Sequence, residues 1–276
     1  MFAIKRSRKI VFSECILSLV STWRGDYLFL FENLILKDFR IRYRNMSLGI
    51  LWSLINPIVM MGVLTFVFSK VFSQSSSNAP FPLFVLCGLV PYNFFTAAVL
   101  SGTTSVIDNA GLVKRLPVPR EVVPLAAVLS NCVHLLIQIA LLLGLTLAFG
   151  LRPGPQWEWL PVIWLLYVIF VCGLALGASA VNVFVRDTRY IVESFTLVLF
   201  WLVPIFYPFN IIPKKYIGVY QFNPVAALVM AMRNILLEHV RPATSLMMNM
   251  LLVAVLAMGL GILIFRRLKP RFYEHI

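Results

Sequence analysis

The sequence predicts an all-α polytopic membrane protein with six transmembrane helices, and three observations lead to that prediction. Hydrophobic residues make up 60% of the 276 residues and charged residues only 13%, a ratio too apolar for a soluble domain to bury within itself. The apolar residues form long runs, each of a length that suits a hydrocarbon core about 30 Å thick. The basic residues gather beside these runs, where they fix orientation and meet anionic headgroups. We therefore attribute the net charge of +13 to membrane anchoring and expect no nucleic acid partner.

The first 29 residues form a basic N-terminal segment ahead of a membrane domain at 30–276. The apolar run in this segment, residues 10–20, is interrupted by Glu14 and ends without a small-residue cleavage motif. It is too short and too polar to span a membrane, and a removable signal peptide is not expected.

A basic amphipathic helix is predicted next, and its pattern breaks at Met46 to Gly49. Polar residues fall on one narrow arc at helical spacing, and aromatic and aliphatic residues repeat every fourth position on another face. Asp38 and Arg42 stand four apart in the orientation that favours an ion pair, which is either a structural salt bridge or a contact with a partner protein. The charged residues of this helix are Lys37, Asp38, Arg40, Arg42 and Arg44.

The membrane spans follow from the apolar runs and the loops between them. Asn56-Pro57 lies within the first span and is expected to kink it. Gly173 and Gly177 form a GxxxG pattern in the fourth span, which is typical of close helix packing. The spans are predicted at about 50–72, 84–104, 122–149, 160–183, 192–207 and 246–265.

The segment between the fifth and sixth spans is predicted not to cross the membrane. Asn223-Pro224 is a helix start, with Asn as the cap, but the apolar run after it has eight residues before Arg233. We expect a re-entrant or surface-lying pair of short outer helices, with Arg233 facing water. With six spans, eighteen of the 24 lysines and arginines lie on the inner side, both termini are cytoplasmic, and the positive-inside rule is satisfied.

A stripe of neutral polar residues marks one face of the third span. Asn131, His134 and Gln138 stand at i, i+3 and i+7, and such a stripe faces protein or water rather than lipid. Two interpretations stay open: hydrogen bonds between helices, or part of a substrate path.

No enzyme motif is present in the chain. It lacks GxxxxGK[ST], HExxH and GxSxG, and no pair of carboxylates lies within a span, so neither nucleotide hydrolysis nor proteolysis has residues to carry it. We expect a transport subunit without a cofactor or metal site of its own. Energy for transport has to come from elsewhere.

Six motifs, in this order, resemble the permease subunit of ABC-2 type polysaccharide exporters, the Wzm, KpsM and TagG group. Together they cover roughly residues 30 to 240, and the basic N-terminal segment is a departure from the family pattern. The motifs are KDFRIRYRNMSLGILWSLINP, FVLCGLVPYNFF, NAGLVKRLPVP, NVFVRDTRYIV, LVPIFYP and FNPVAALVMAMR.

The resemblance implies a homodimer in the bacterial inner membrane that binds two copies of a separate ABC ATPase. ATP and Mg would be bound by that partner, and the cargo would be a lipid-linked polysaccharide, with O antigen favoured over capsule or teichoic acid. By this resemblance, the family's amphipathic interface helix falls on 30–47, its coupling helix on 105–116 and its external gate helices on 212–240. The implied ATPase-coupling residues are Asp108, Lys114, Arg115, Arg186, Asp187 and Arg189, although these charges also fit simple anchoring at the membrane edge.

Aromatic residues near the span ends are the expected polysaccharide path. Rings offer apolar faces to the C–H faces of sugars, but rings at span ends also form interface belts. The path candidates are Tyr92, Phe94, Phe95, Trp201, Phe206 and Tyr207. The alternative functions are an ABC-2 exporter of small lipids or drugs, and an ATP-independent membrane channel or scaffold.

Overall fold

The computed structural model describes residues 29, 31–41, 49–71, 80–115, 119–213, 215 and 217–275, and these parts of the chain are helical with short connections. Residues 31–41 form the described part of α1. The following helices are α2 (Trp52–Phe66, continued by a π-helical turn at Val67–Val71), α3 (Phe81–Asp108), α4 (Ala110–Arg115), α5 (Val122–Ala148), α6 (Leu160–Phe184), α7 (Thr188–Leu202), α8 (Ile217–Phe222), α9 (Pro224–Leu236), α10 (Thr244–Leu268) and α11 (Phe272–His275).

Five of these helical stretches are long and apolar enough to cross a membrane, and they match five of the six predicted spans. They are Trp52–Ser69, Phe81–Asp108, Val122–Ala148, Pro155–Phe184 and Thr244–Arg271. The helix α7 has 15 residues and is about 22 Å long, which is less than the hydrocarbon core. It also begins four residues before, and ends five residues before, the predicted 192–207. The chain leaves α7 at Val203 in an extended conformation, because the residue before Pro204 disfavours helix.

The helix α3 is the centre of the fold, and α6 packs between α3 and α10. Small residues permit this close packing. A Cβ atom on Gly88 would stand 2.9 Å from the Ile205 Cα atom, and one on Gly173 or Gly261 would overlap the backbone of the opposite helix at the α6–α10 crossing. The predicted packing role of the GxxxG pattern is thus confirmed at Gly173. A Cβ on Gly177 would be at an ordinary 3.7 Å from the Gly261 Cα.

Several helices leave wide apolar faces uncovered, and α2, α7 and α10 are among them. Within α2, Pro57 and Leu64 are the buried residues, while Val63 and Phe66 are more than half exposed. The helix α7 exposes Ile191, Leu197, Val198 and other large apolar side chains. These faces are where lipid or a second copy of the chain can pack.

A pair of short helices, α8 and α9, lies between α7 and α10, and the Asn223 side chain caps α9 by accepting from the Val225 N–H at 3.1 Å. The surface-lying alternative is wrong for α9, because Val225 to Val229 and Ala231 to Arg233 are buried. Its 13 residues extend about 20 Å, so it remains too short to span. The expectation that Arg233 faces water is also wrong, because its side chain is buried.

Candidate functional site

The joint between α3 and the short helix α4 is built around Asn109. This residue ends α3, and its carbonyl oxygen accepts from the backbone N–H groups of Leu112 and Val113 that open α4. Its side-chain amide donates back to the Ser105 carbonyl at 2.8 Å, and Val113 is 1% exposed. The helix α4 is therefore held against the end of α3 at a fixed angle.

A lysine of α1 ties that helix to the same joint. The Lys37 Nζ donates to the Asn109 Oδ1 at 2.6 Å, a charge-assisted hydrogen bond of the stronger kind. The amide of Asn109 thus bonds on one side to its own helix and on the other to α1. Arg40 is exposed. Arg42, the predicted ion-pair partner of Asp38, lies outside the described residues, and so does Arg44.

The chain that follows α4 is anchored at the start of α5 by the C-terminal segment. The Lys269 Nζ forms a salt bridge to Glu121, 2.8 Å and 3.0 Å from its two carboxylate oxygens. Arg120 donates from Nη1 to the Lys269 carbonyl at 2.8 Å, and its guanidinium lies 5.9 Å from the centre of the Phe272 ring. Phe272 is fully buried against Phe184 and Phe265, so α11 packs into the protomer.

The predicted coupling residues occupy the exposed side of this arrangement. Asp108 and Lys114 are exposed at the end of α3 and in α4, and the side chain of Arg115 lies outside the described residues. Arg186, Asp187 and Arg189 are exposed at the turn between α6 and α7, where the Thr188 hydroxyl donates to the Val185 carbonyl at 2.6 Å. These charges therefore remain available to a partner in a single protomer.

The predicted polar stripe faces other helices and also a cavity. Asn131 is 1% exposed and donates to the Ser101 Oγ at 2.8 Å, and Gln138 donates to the Ser53 carbonyl at 3.3 Å. The ring of His134 lies 6.3 Å from that of Phe39. These three stripe residues line a cavity of about 380 Å³ between α2, α3 and α5, which we call the amide cavity. Its lining also includes Trp52, Asn56, Asn93 and Thr96.

A second cavity of about 250 Å³ lies between α2, α3 and α7, and we call it the aromatic cavity. Asn56 and Asn93 line both cavities, while Tyr92 and Trp201 line the aromatic cavity alone. Trp201 is 62% exposed. The Tyr92 hydroxyl donates to the Thr196 carbonyl at 2.6 Å, which ties α3 to α7.

The remaining path candidates have their rings mostly inside the protomer. Phe94, Phe95 and Phe206 are at most 6% exposed. Phe94 packs against Tyr167 and also lines the amide cavity, whereas Phe95 stacks on Phe170. Tyr207 is half-buried and donates to the Leu202 carbonyl at 2.8 Å. The structure thus brings Tyr92 and Trp201 together at one cavity and does not place the other four candidates in its lining.

Arg233 is a buried cation at the opposite end of α3 from Asn109. Its Nη2 donates to the carbonyls of Ile205 at 2.7 Å and Phe84 at 3.2 Å, and its guanidinium lies 3.4 Å from the centre of the Phe84 ring. Burial lowers the pKa of Arg233 to about 9, so the group is charged at neutral pH. The ring and the two carbonyls take the place of water, because a desolvated guanidinium is stabilised by aromatic faces and by charge-assisted hydrogen bonds.

Three contacts escaped the sequence analysis: Lys37 with Asn109, Lys269 with Glu121, and Arg233 with the carbonyls of Ile205 and Phe84. The first two partners stand 72 and 148 residues apart, and no local pattern pairs positions at such distances. A basic residue inside an apolar helix was the available signal for Arg233. The sequence gives no sign of the backbone that Arg233 binds, which is the Ile205 carbonyl after α7 and the Phe84 carbonyl in α3.

Comparisons with known proteins show what this chain is similar to. Residues 30–237 match the family described as ABC-2 type transporter. The O-antigen export system permease protein RfbA of Klebsiella pneumoniae is 30% identical over 250 residues, which is 89% of this chain and 95% of that protein. RfbA of Myxococcus xanthus is 29% identical over 91% of this chain and 96% of that protein. The polysialic acid transport protein KpsM of Escherichia coli is 25% identical over 72% of this chain and 77% of that protein. The matched family covers most of the chain, and the chain belongs to the ABC-2 type transporter family.

Proposed function

We propose that this chain is the membrane subunit of an ATP-driven exporter that moves a lipid-linked polysaccharide across the bacterial inner membrane. The observation that carries the proposal is the 30% identity to an O-antigen export permease over 95% of that protein's length. The same relatives favour O antigen as the cargo. Similarity to a polysialic acid transport protein covers less of the chain and is weaker, so capsule is the second candidate.

The proposed topology has six spans with both termini in the cytoplasm. Lys37 and Lys269 both contact the region that surrounds α4, so α1, the loop before α5 and the end of α10 gather at one end of the helix bundle. Basic residues cluster in these segments, among them Lys37, Arg40, Arg120, Arg266, Arg267, Lys269 and Arg271, which supports a cytoplasmic placement of that end. In this topology α7 crosses together with the extended residues that follow it.

The proposed energy input is a pair of ATPase subunits, each docked on α4 and on the turn before α7. The helix α4 is bonded to α1 at one end, through Lys37 and Asn109, and the chain after it is bonded to the C-terminal segment, through Glu121 and Lys269. Because both ends are tied, a push on α4 is passed to the ends of α3, α5 and α10 together. Such an arrangement suits a lever that converts ATPase closure into movement of the spans.

The proposed export path is an opening between two copies of the chain. The uncovered faces of α2 and α7 flank the aromatic cavity and support a dimer contact there. Trp201 and Tyr92 offer rings for the faces of sugar units, and Asn56 and Asn93 offer amides for their hydroxyl groups. Rings and amides bind sugars without charge, which suits a chain that has to slide.

The test is to purify the tagged permease from its native membrane in mild detergent and to identify what co-purifies by mass spectrometry. We expect a P-loop ATPase in a 1:1 ratio and loss of surface polysaccharide when the permease is deleted. If an ATPase co-purifies but surface polysaccharide persists in the deletion strain, the result would favour an exporter of small lipids or drugs. A permease that purifies alone, under conditions that preserve a known transporter complex, would favour an ATP-independent channel or scaffold.

A further inference from the structure

An apolar groove of about 640 Å³ lies on the outside of the protomer between α3, α6, α7 and α10. Its lining includes Phe95, Leu174, Ala178, Phe195, Leu256 and Leu260. Phe195, Leu256 and Leu260 are each more than half exposed, so the groove opens sideways between helices. No described part of the chain covers it.

The groove runs along α6 and α10, in the half of the helix bundle nearer to α4. On α10 its lining extends from Val253 to Ile264, which is about 16 Å of helix and close to half of the hydrocarbon core. Its inner end is marked by Ile264, Val181 and Thr188, which lie near the end of α6 and the start of α7. The length and the position both suit one acyl chain of the inner leaflet.

Basic side chains stand at this inner end. Arg267 follows Ile264 by three positions and therefore continues the face of α10 that lines the groove, whereas Arg266, two positions after Ile264, lies on another face of the helix. Both arginines are exposed in the last turn of α10. Across the groove the turn before α7 carries the exposed residues Arg186, Asp187 and Arg189, and Glu193 is exposed on α7 outside the lining.

We propose that the groove holds an acyl chain of an anionic phospholipid, with its phosphate bound by Arg267 and with Arg266 adding to the positive charge beside it. The four arginines at the inner end outnumber the one aspartate, so their field attracts an anionic headgroup. The same charges disfavour a second copy of the chain at this place, because a symmetric contact would bring two arginine clusters together. This inference concerns the lipid around the protein and does not depend on the cargo.

The charge arm of the test compares spin-labelled phosphatidylglycerol with spin-labelled phosphatidylcholine on the full-length protein in bilayers. We expect the unsubstituted protein to prefer phosphatidylglycerol. The double variant Arg266→Gln, Arg267→Gln should lower that preference by up to about 25-fold, at roughly fivefold per arginine near the surface. The matched control Arg152→Gln, Arg241→Gln removes two exposed arginines from other parts of the chain and should keep it. An equal preference in both double variants would overturn the proposal.

The groove arm uses Ala178→Trp, which fills the groove, and Leu165→Trp, which adds a ring to an exposed position of α6 outside it. Ala178→Trp should release about one immobilised phosphatidylglycerol per protomer, and Leu165→Trp should release none. Equal numbers of bound lipids in the two variants would contradict an acyl chain in the groove. A Leu260→Cys variant that forms a disulfide-linked dimer in native membranes, absent from the unsubstituted chain, would show that a second copy covers the groove and would also overturn the proposal.

Discussion

The crossing of α6 and α10 provides the sharpest prediction for the fold. The two helices meet backbone to backbone, because a Cβ on Gly261 would overlap the carbonyl oxygen of Gly173. A side chain could rotate away from a new methyl group, but a helix backbone cannot. The variant Gly261→Ala therefore has to push the helices apart, and overpacking by a methyl group typically costs about 1–3 kcal/mol. We expect about 3 kcal/mol here because the overlapped group is backbone, and because close Cα–H···O contacts are lost as well.

The matched control is Gly259→Ala, two residues earlier on the same helix. A Cβ there meets nothing within 4 Å, and alanine in a helix interior is favoured over glycine by about 0.5–1 kcal/mol. The two variants should therefore differ by about 3–4 kcal/mol in the free energy of unfolding, measured by circular dichroism in mixed micelles with increasing SDS. Gly177→Ala should resemble the control. If Gly261→Ala unfolded at the same SDS fraction as Gly259→Ala, the close crossing would not exist as described.

Three further predictions concern the polar contacts and the export path. Arg233→Lys keeps the charge but loses the planar fork of the guanidinium and its contact with the Phe84 ring. It should therefore lower the free energy of unfolding by about 2 kcal/mol. In the same SDS titration the exposed Arg241→Lys should leave the midpoint unchanged, and equal midpoints for the two variants would contradict a bridging role for Arg233. The partly exposed salt bridge between Glu121 and Lys269 should contribute only about 0.2–1 kcal/mol to stability. Glu121→Lys should nevertheless lower the amount of polysaccharide that the complex exports per ATP hydrolysed. Adding Lys269→Glu should restore much of that amount. An unchanged ratio in the single variant would exclude a role in coupling. Trp201→Ala should reduce surface polysaccharide severalfold at constant protein level, with both quantities measured by immunoblot, whereas Trp159→Ala should leave it unchanged. Undiminished export in the Trp201→Ala variant would show that this ring is not part of the path.

The long apolar runs could be predicted from the sequence because a bilayer imposes both a length and a composition on each span. The predicted 122–149 and the observed Val122–Ala148 agree for this reason. The predicted start of α7 was late because its first turn carries Thr188 and Arg189, which resemble loop residues although they are helical. Its predicted end was late because aromatic residues continue past Pro204, although a proline disfavours helix at the residue before it and so ends α7 ahead of Val203.

The placement of the short elements could not be predicted, and the reason lies in the membrane itself. Apolar side chains gain little by leaving lipid for protein, so hydrophobic burial alone does not determine where a short helix docks. Polar contacts over long sequence separations do so in this protein: Lys37 joins α1 to the α3–α4 joint, Lys269 joins the C-terminal segment to the start of α5, and Arg233 joins α9 to α3 and to the chain after α7. Each contact is made by one cation with a carbonyl, amide or carboxylate, so a small displacement breaks it outright. The elements that these cations hold are the ones that an ATPase cycle would have to move, and the spans between them can then shift as packed units.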